Sequence, residues 1–97
     1  MSGNHRGRIL VVEDESIVAL DLKHCLQSLG YHVPQVVTTG ERALEVLKKQ
    51  KPDLVLMDIR LQGDMNGIET AKVINSQYDI PVVYLTAYAD DQTLEQA

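Results

Sequence analysis

Ile9-Leu10-Val11-Val12-Glu13-Asp14-Glu15 sets an unbroken aliphatic run directly against three acids. A strand with one solvated face alternates apolar and polar residues. A run without alternation is what a strand covered on both faces requires. The same pattern recurs at Leu54-Val55-Leu56-Met57, which runs straight into Asp58. It recurs again at Val82-Val83-Tyr84-Leu85, entered through Pro81 and followed by Thr86.

Helical patterns separate these runs. From Glu15 to Leu29, the residues Val18, Leu22, Cys25, Leu26 and Leu29 share one helix face, and Gly30 follows as a C-terminal cap. Cys25 is therefore expected in the core. His32 to Val37 reads as a weaker strand, and Pro34 inside it places it at a sheet edge, because proline cannot donate to a central ladder. A second helix opens at Thr39 or Gly40 and runs to about Lys49, with Ala43, Leu44 and Leu47 inward. Ile68, Ala71 and Ile74 mark the inward face of a third helix after a polar loop ending near Gly67, and Asp90 begins a further one. Strands alternating with helices of this length imply an α/β fold with a parallel sheet covered on both sides. Right-handed crossovers, with the two buried runs in the middle, give strand order 2-1-3-4, most of a flavodoxin-like doubly wound sheet. Residues 1–7 are polar and form a flexible arm, and residues 8–97 form one domain.

The bulk composition excludes several function classes. The 97 residues are 44% hydrophobic, enough for one globular domain. A net charge of −5 argues against a sequence-independent grip on nucleic acid and against a polybasic membrane anchor. No apolar run approaches the roughly 20 residues of a bilayer span. One cysteine forbids an intrachain disulfide, so a soluble, cytoplasmic protein of a reducing compartment is expected.

In a doubly wound sheet, ligands bind beyond the carboxyl ends of the strands, at the switch point between the first and third. Neighbouring strands lie roughly 4.8 Å apart, so Asp14 and Asp58 converge on one small volume. Crowded carboxylates raise one another's pKa unless a cation is present. A hard, oxygen-seeking ion such as Mg²⁺ satisfies them, and a carboxylate beside it can attack phosphorus to give an aspartyl phosphate. Thr86, at the end of the fourth strand, could donate to a phosphoryl oxygen. Plainer roles stand beside these: Asp14 as the cap of the helix beginning at Glu15, Asp58 as a turn residue, Glu13 as a solvated acid, Thr86 as a strand end or helix cap.

Ile9 to Glu15, Asp53 to Asp58, Gly67-Ile68-Glu69 and Pro81 to Ala87, taken together and in order, resemble the successive blocks of two-component response-regulator receiver domains. The likeness covers residues 8–97. It implies that Glu13 and Asp14 are the acidic pair, with Asp14 a direct Mg²⁺ ligand. It implies that Asp58 is both phosphoacceptor and ligand, that the backbone carbonyl of Arg60 completes the protein's share of the coordination, and that Thr86 is the switch hydroxyl. The loop from Asp58 to Gly67 departs from the family: it lacks a proline and is one residue longer.

Receivers also carry a lysine on a fifth strand, followed by a fifth helix. Lys23, Lys48, Lys49, Lys51 and Lys72 do not fill that place, and the sequence stops at Ala97, so a receiver truncated before its fifth strand is expected. The implied function is a signalling switch, not an enzyme, which takes a phosphoryl group from a sensor histidine kinase or phosphotransfer protein. The alternative is a degenerate or truncated receiver acting as a non-phosphorylated interaction module. An independent flavodoxin-type or phosphatase enzyme is disfavoured: Glu13-Asp14-Glu15 stands where a phosphate-cradling glycine loop would be, and Arg60 where a second catalytic acid would be. With no fifth strand beside it, the apolar edge at 82–85 is expected to favour self-association.

Overall fold

The structure, a computed structural model, describes residues 7–61 and 65–85. Seven elements follow one another: β1 (Ile9–Val12), α1 (Ser16–Ser28), β2 (Val36–Val37), α2 (Gly40–Lys49), β3 (Leu54–Asp58), α3 (Gly67–Gln77) and β4 (Val82–Leu85). All strand pairs are parallel, in the order β2-β1-β3-β4. The expected α/β architecture and strand order are both present. Among the described residues no helix is long and apolar enough to cross a membrane.

Alternation along the strands divides the core in two. Leu10, Val12, Val55 and Met57 point to the face covered by Ala43 and Leu47 of α2 and Ile74 of α3. Ile9 and Val11 point the other way, where Leu22 and Leu26 of α1 pack with Leu54 and Leu56. Among the described residues α1 is the one helix on that face. It lies over β1, so Val11 is fully buried while Leu56 is only half-buried. That corrects the expectation that Leu56 is covered as completely as Val11.

The rotation of α1 also differs from the sequence expectation. Cys25 and Leu29 are exposed, Leu22 and Leu26 are half-buried, and Ala19 is the buried residue of the helix. At about 100° per residue, Ala19 and Cys25 lie on opposite sides of Leu22, each roughly 60° away. The helix is thus rotated so that Ala19, and not Cys25, is withdrawn from solvent. Ile68 is likewise 44% exposed rather than inward, and Gly67, Thr70, Ala71 and Ile74 form the buried stripe of α3.

The edge strand is shorter than expected. Only Val36 and Val37 pair continuously with β1, and His32 adds an isolated bridge to Arg8. Pro34 lies between the two pairings and has no N–H to give. The turn before it is well defined. Gly30, at φ 98°, donates to the Gln27 carbonyl (3.0 Å), and Tyr31 donates to the Leu26 carbonyl (3.0 Å). This Schellman pair satisfies the end of α1 as Gly30 was expected to do. Residues 1–6 of the expected arm, and the helix expected from Asp90, lie outside the described residues.

Leu47→Ala should lower the unfolding free energy by about 2–5 kcal/mol, the range for emptying a filled core site. Leu29→Ala, at an exposed position, should stay within about 0.5 kcal/mol. Urea unfolding followed by circular dichroism checks both, and equal costs would contradict the packing described.

Candidate functional site

The pairing of β1 with β3 builds the site. Ile9 lies beside Leu54 and Val12 beside Met57, so the next residues along, Glu13 and Asp58, leave the sheet side by side. Alternation sends both side chains toward the α1 face. The Glu13 amide still donates to the Val37 carbonyl (2.9 Å), which holds this corner to β2. The chain then turns into α1, and the Glu15 amide donates to Oε2 of Glu13 (3.0 Å). On the other strand the Arg60 amide donates to Oδ1 of Asp58 (3.1 Å) and orients that carboxylate.

Glu13, Asp14 and Asp58 each bring a carboxylate oxygen within 4.8 Å of the others. Glu13 is 1% and Asp58 6% exposed, and Asp14 is half-buried. Glu13 is therefore not the solvated acid of its plainer reading. Asp14 does not cap α1 either: the N-cap is Glu15, with no side-chain capping bond. Three of the expected site residues are thus brought together. Arg60 stands two residues beyond Asp58, in the turn that leaves β3. Thr86 lies outside the described residues. Lys48 and Lys49 end α2, and Lys51 precedes the amino end of β3, all far from the carboxyl edge.

Burial pushes the Glu13 carboxyl up from its ordinary value of 4.5 to about 7; the negative charge of Asp58 and the side chains of Asp14 and Asp58 add to the rise, while the Glu15 amide works against it. The second oxygen of Glu13, Oε1, is buried and has no hydrogen-bond partner among the described residues. An orphaned acceptor inside a group of acids is costly as it stands. It is suited to a cation, and the donor set, all carboxylate oxygen, matches a hard ion such as Mg²⁺.

Another local feature was present in the sequence but not read from it. Asn66 caps α3 and forms a capping box with Glu69: the Glu69 amide donates to Asn66 (2.8 Å), and the Asn66 amide donates to Glu69 (3.2 Å). An Asn followed three residues later by Glu is the signature of this device. It fixes where the chain returns to the helical layer after leaving Asp58.

The family model for the response regulator receiver domain matches residues 9–97. The transcriptional regulatory protein PdtaR of Mycobacterium tuberculosis is 36% identical over 90 residues, which make up 93% of this chain and 43% of PdtaR. The chain thus spans less than half of that relative's length. The signal receiver domain of a modulated diguanylate cyclase from Desulfovibrio desulfuricans G20 superposes with a TM-score of 0.80 at 35% identity, over 92% of this chain and 71% of that one. The anti-anti-sigma factor PhyR of Bartonella quintana, crystallised with the anti-sigma factor NepR, gives a TM-score of 0.76 at 30% identity, over 86% of this chain and 34% of that one.

The Glu13 shift has a consequence for stability. Its pKa is raised in the folded state, so between 4.5 and about 7 the folded chain keeps a proton that the unfolded chain releases. That contribution is full below 4.5 and is lost as the pH rises through about 7. In metal-free buffer the melting temperature should fall across this window, and Glu13→Gln should flatten the fall. Thermal melts over a pH series check it; an unchanged slope in the variant would assign the effect elsewhere.

Proposed function

Because this chain belongs to the response regulator receiver domain family, we propose that it is a phosphorylation switch in which Asp58 accepts a phosphoryl group in a Mg²⁺-dependent reaction. The donor would be a phosphohistidine on a sensor histidine kinase or phosphotransfer protein. The observation that carries this reading is the convergence of Glu13, Asp14 and Asp58, with an orphaned carboxylate oxygen among them. Such an arrangement is a poor way to stabilise a fold and a good way to hold a cation beside a nucleophile.

In this reading Asp58 attacks phosphorus through a carboxylate oxygen. The P–N bond of the donor breaks, and its electron pair stays with the imidazole. The Arg60 amide, bonded to Oδ1, keeps the Asp58 carboxylate in one orientation for the attack. Glu13, Asp14 and Asp58 itself, with the Arg60 carbonyl, would hold Mg²⁺, which offsets the charge gathered on the phosphoryl oxygens. Thr86, one residue past β4, would donate its hydroxyl to the transferred group and report its presence. The chain catalyses at most its own phosphorylation and dephosphorylation.

A second reading, partner binding without phosphorylation, has one observation in its favour: Lys48, Lys49 and Lys51 stand away from the carboxyl edge, where a cation could neutralise the phosphoryl group. The PhyR–NepR complex is a case of a structurally similar protein bound to a partner.

One experiment separates the two. The chain, incubated with acetyl phosphate and Mg²⁺, should gain the mass of one phosphoryl group, and Asp58→Asn should gain none. Millimolar Mg²⁺ should raise the melting temperature of the parent chain by mass action, and that of the Asn variant less. Equal labelling of the two chains would remove Asp58 as acceptor. No labelling of either, at an unmoved melt, would favour the second reading.

A further inference from the structure

We propose that Gly67 is a positioning residue for Asp58: the bare Cα at the start of α3 sets where the Asp58–Arg60 backbone lies. This rests on the phosphoacceptor reading of Asp58. The Gly67 amide donates to the Ile59 carbonyl (3.1 Å), so the first turn of α3 sits directly on the chain leaving β3. A Cβ at Gly67 would overlap the carbonyl oxygen of Asp58 and lie 2.9 Å from both the Asp58 carbonyl carbon and the Ile59 Cα. All three are backbone atoms, so no side chain can rotate out of the way. Gly67 does not have a positive φ; glycine is needed here for space, not for conformation.

The helix cannot easily retreat from such an overlap. Its first turn is stiffened by the Asn66–Glu69 box, and its far side is blocked. Ile74 is buried in the core with Leu47 and Val55, and the Thr70 side chain fills the place where a Cβ on Gly40 of α2 would lie. The hydroxyl of Thr70, a fully buried residue, donates to the Asn66 carbonyl (2.8 Å). The displacement therefore falls on Asp58, Ile59 and Arg60. Relieving the overlap needs a shift on the order of 1 Å, because non-bonded heavy atoms settle at about 3.5–4.0 Å. Asp58 would carry its carboxylate with it, and the Arg60 amide would follow through its bond to Oδ1. Asp14 and Glu13, built on β1 and the turn after it, would stay. A misplacement of about 1 Å between reacting groups is enough to slow a reaction roughly 100-fold.

The test compares the parent chain, Gly67→Ala and Val33→Ala. Val33 is buried near the amino end of β1, away from the site, so its variant loses stability alone. Mn²⁺ binding is followed by electron paramagnetic resonance, and labelling is followed with acetyl phosphate, both well below each melting temperature. Gly67→Ala is expected to bind Mn²⁺ about tenfold more weakly and to label roughly 100-fold more slowly, while Val33→Ala matches the parent in both. If Gly67→Ala binds and labels like the parent, or if Val33→Ala loses as much, the inference is overturned. A parent chain that neither binds Mn²⁺ nor labels removes the phosphoacceptor reading and this inference with it. Should Gly67→Ala fail to fold, Asn66→Ala decides: loosening the start of α3 should weaken Mn²⁺ binding several-fold relative to Val33→Ala, and an unchanged affinity overturns the inference.

Discussion

The parallel pairing of β1 with β3 is the constraint on which the rest depends. Its register, from Ile9 beside Leu54 to Val12 beside Met57, assigns each side chain to one of two cores and delivers Glu13 and Asp58 together at the carboxyl edge. A slip of one residue would exchange the faces of every side chain on one strand. Leu54 and Leu56 would then turn toward α2 and α3, Val55 and Met57 toward α1, and Asp58 would leave the side that Glu13 occupies. The hydrophobic fit of the strands and the geometry of the acids are therefore specified by the same hydrogen bonds.

Against that background the site is a place where the fold works against its own stability. Two carboxylates are nearly excluded from water, a third stands beside them, and one oxygen of Glu13 has no donor among the described residues. The protein offers partial relief through two backbone amides, that of Glu15 to Glu13 and that of Arg60 to Asp58. The remaining charge is left for something from outside. Local rules broken in this way, within elements that otherwise obey them, are where functional or strained sites are expected. The helices around it differ in how firmly they begin. α2 and α3 both have side-chain caps, whereas α1 starts beside the acids with none. The turn bearing Asp14 is held through Glu13 instead.

Most of the fold was legible because the strands are uniformly aliphatic and the helices between them are separated by glycine, proline and capping residues. Val11 and Met57 could be placed in a core from their runs alone, and Thr39 and Gly30 could be read as helix ends. What was misread has a common origin. Cys25, Leu29 and Ile68 are apolar at helical spacing, but spacing fixes a helix's period and not its rotation against a sheet. In the fold the buried residues are instead Ala19 in α1 and Gly67, Thr70, Ala71 and Ile74 in α3. Leu56 looks as central as Val11 in the sequence, and its burial depends on which strand α1 covers. The strand around Pro34 shrank because pairing needs donors that proline lacks.

By itself the sequence determined the period of each element, the parallel order of the strands, and the presence of acids at the ends of the first and third, since all of these follow from local pattern and chain connectivity. The tertiary structure decided the rotation of α1 and α3, the near-complete burial of Glu13, and the convergence of its carboxylate with those of Asp14 and Asp58. It also decided the close passage of Gly67 over the Asp58 backbone. These depend on contacts between residues far apart in the chain, and no local pattern encodes how closely two packed elements approach.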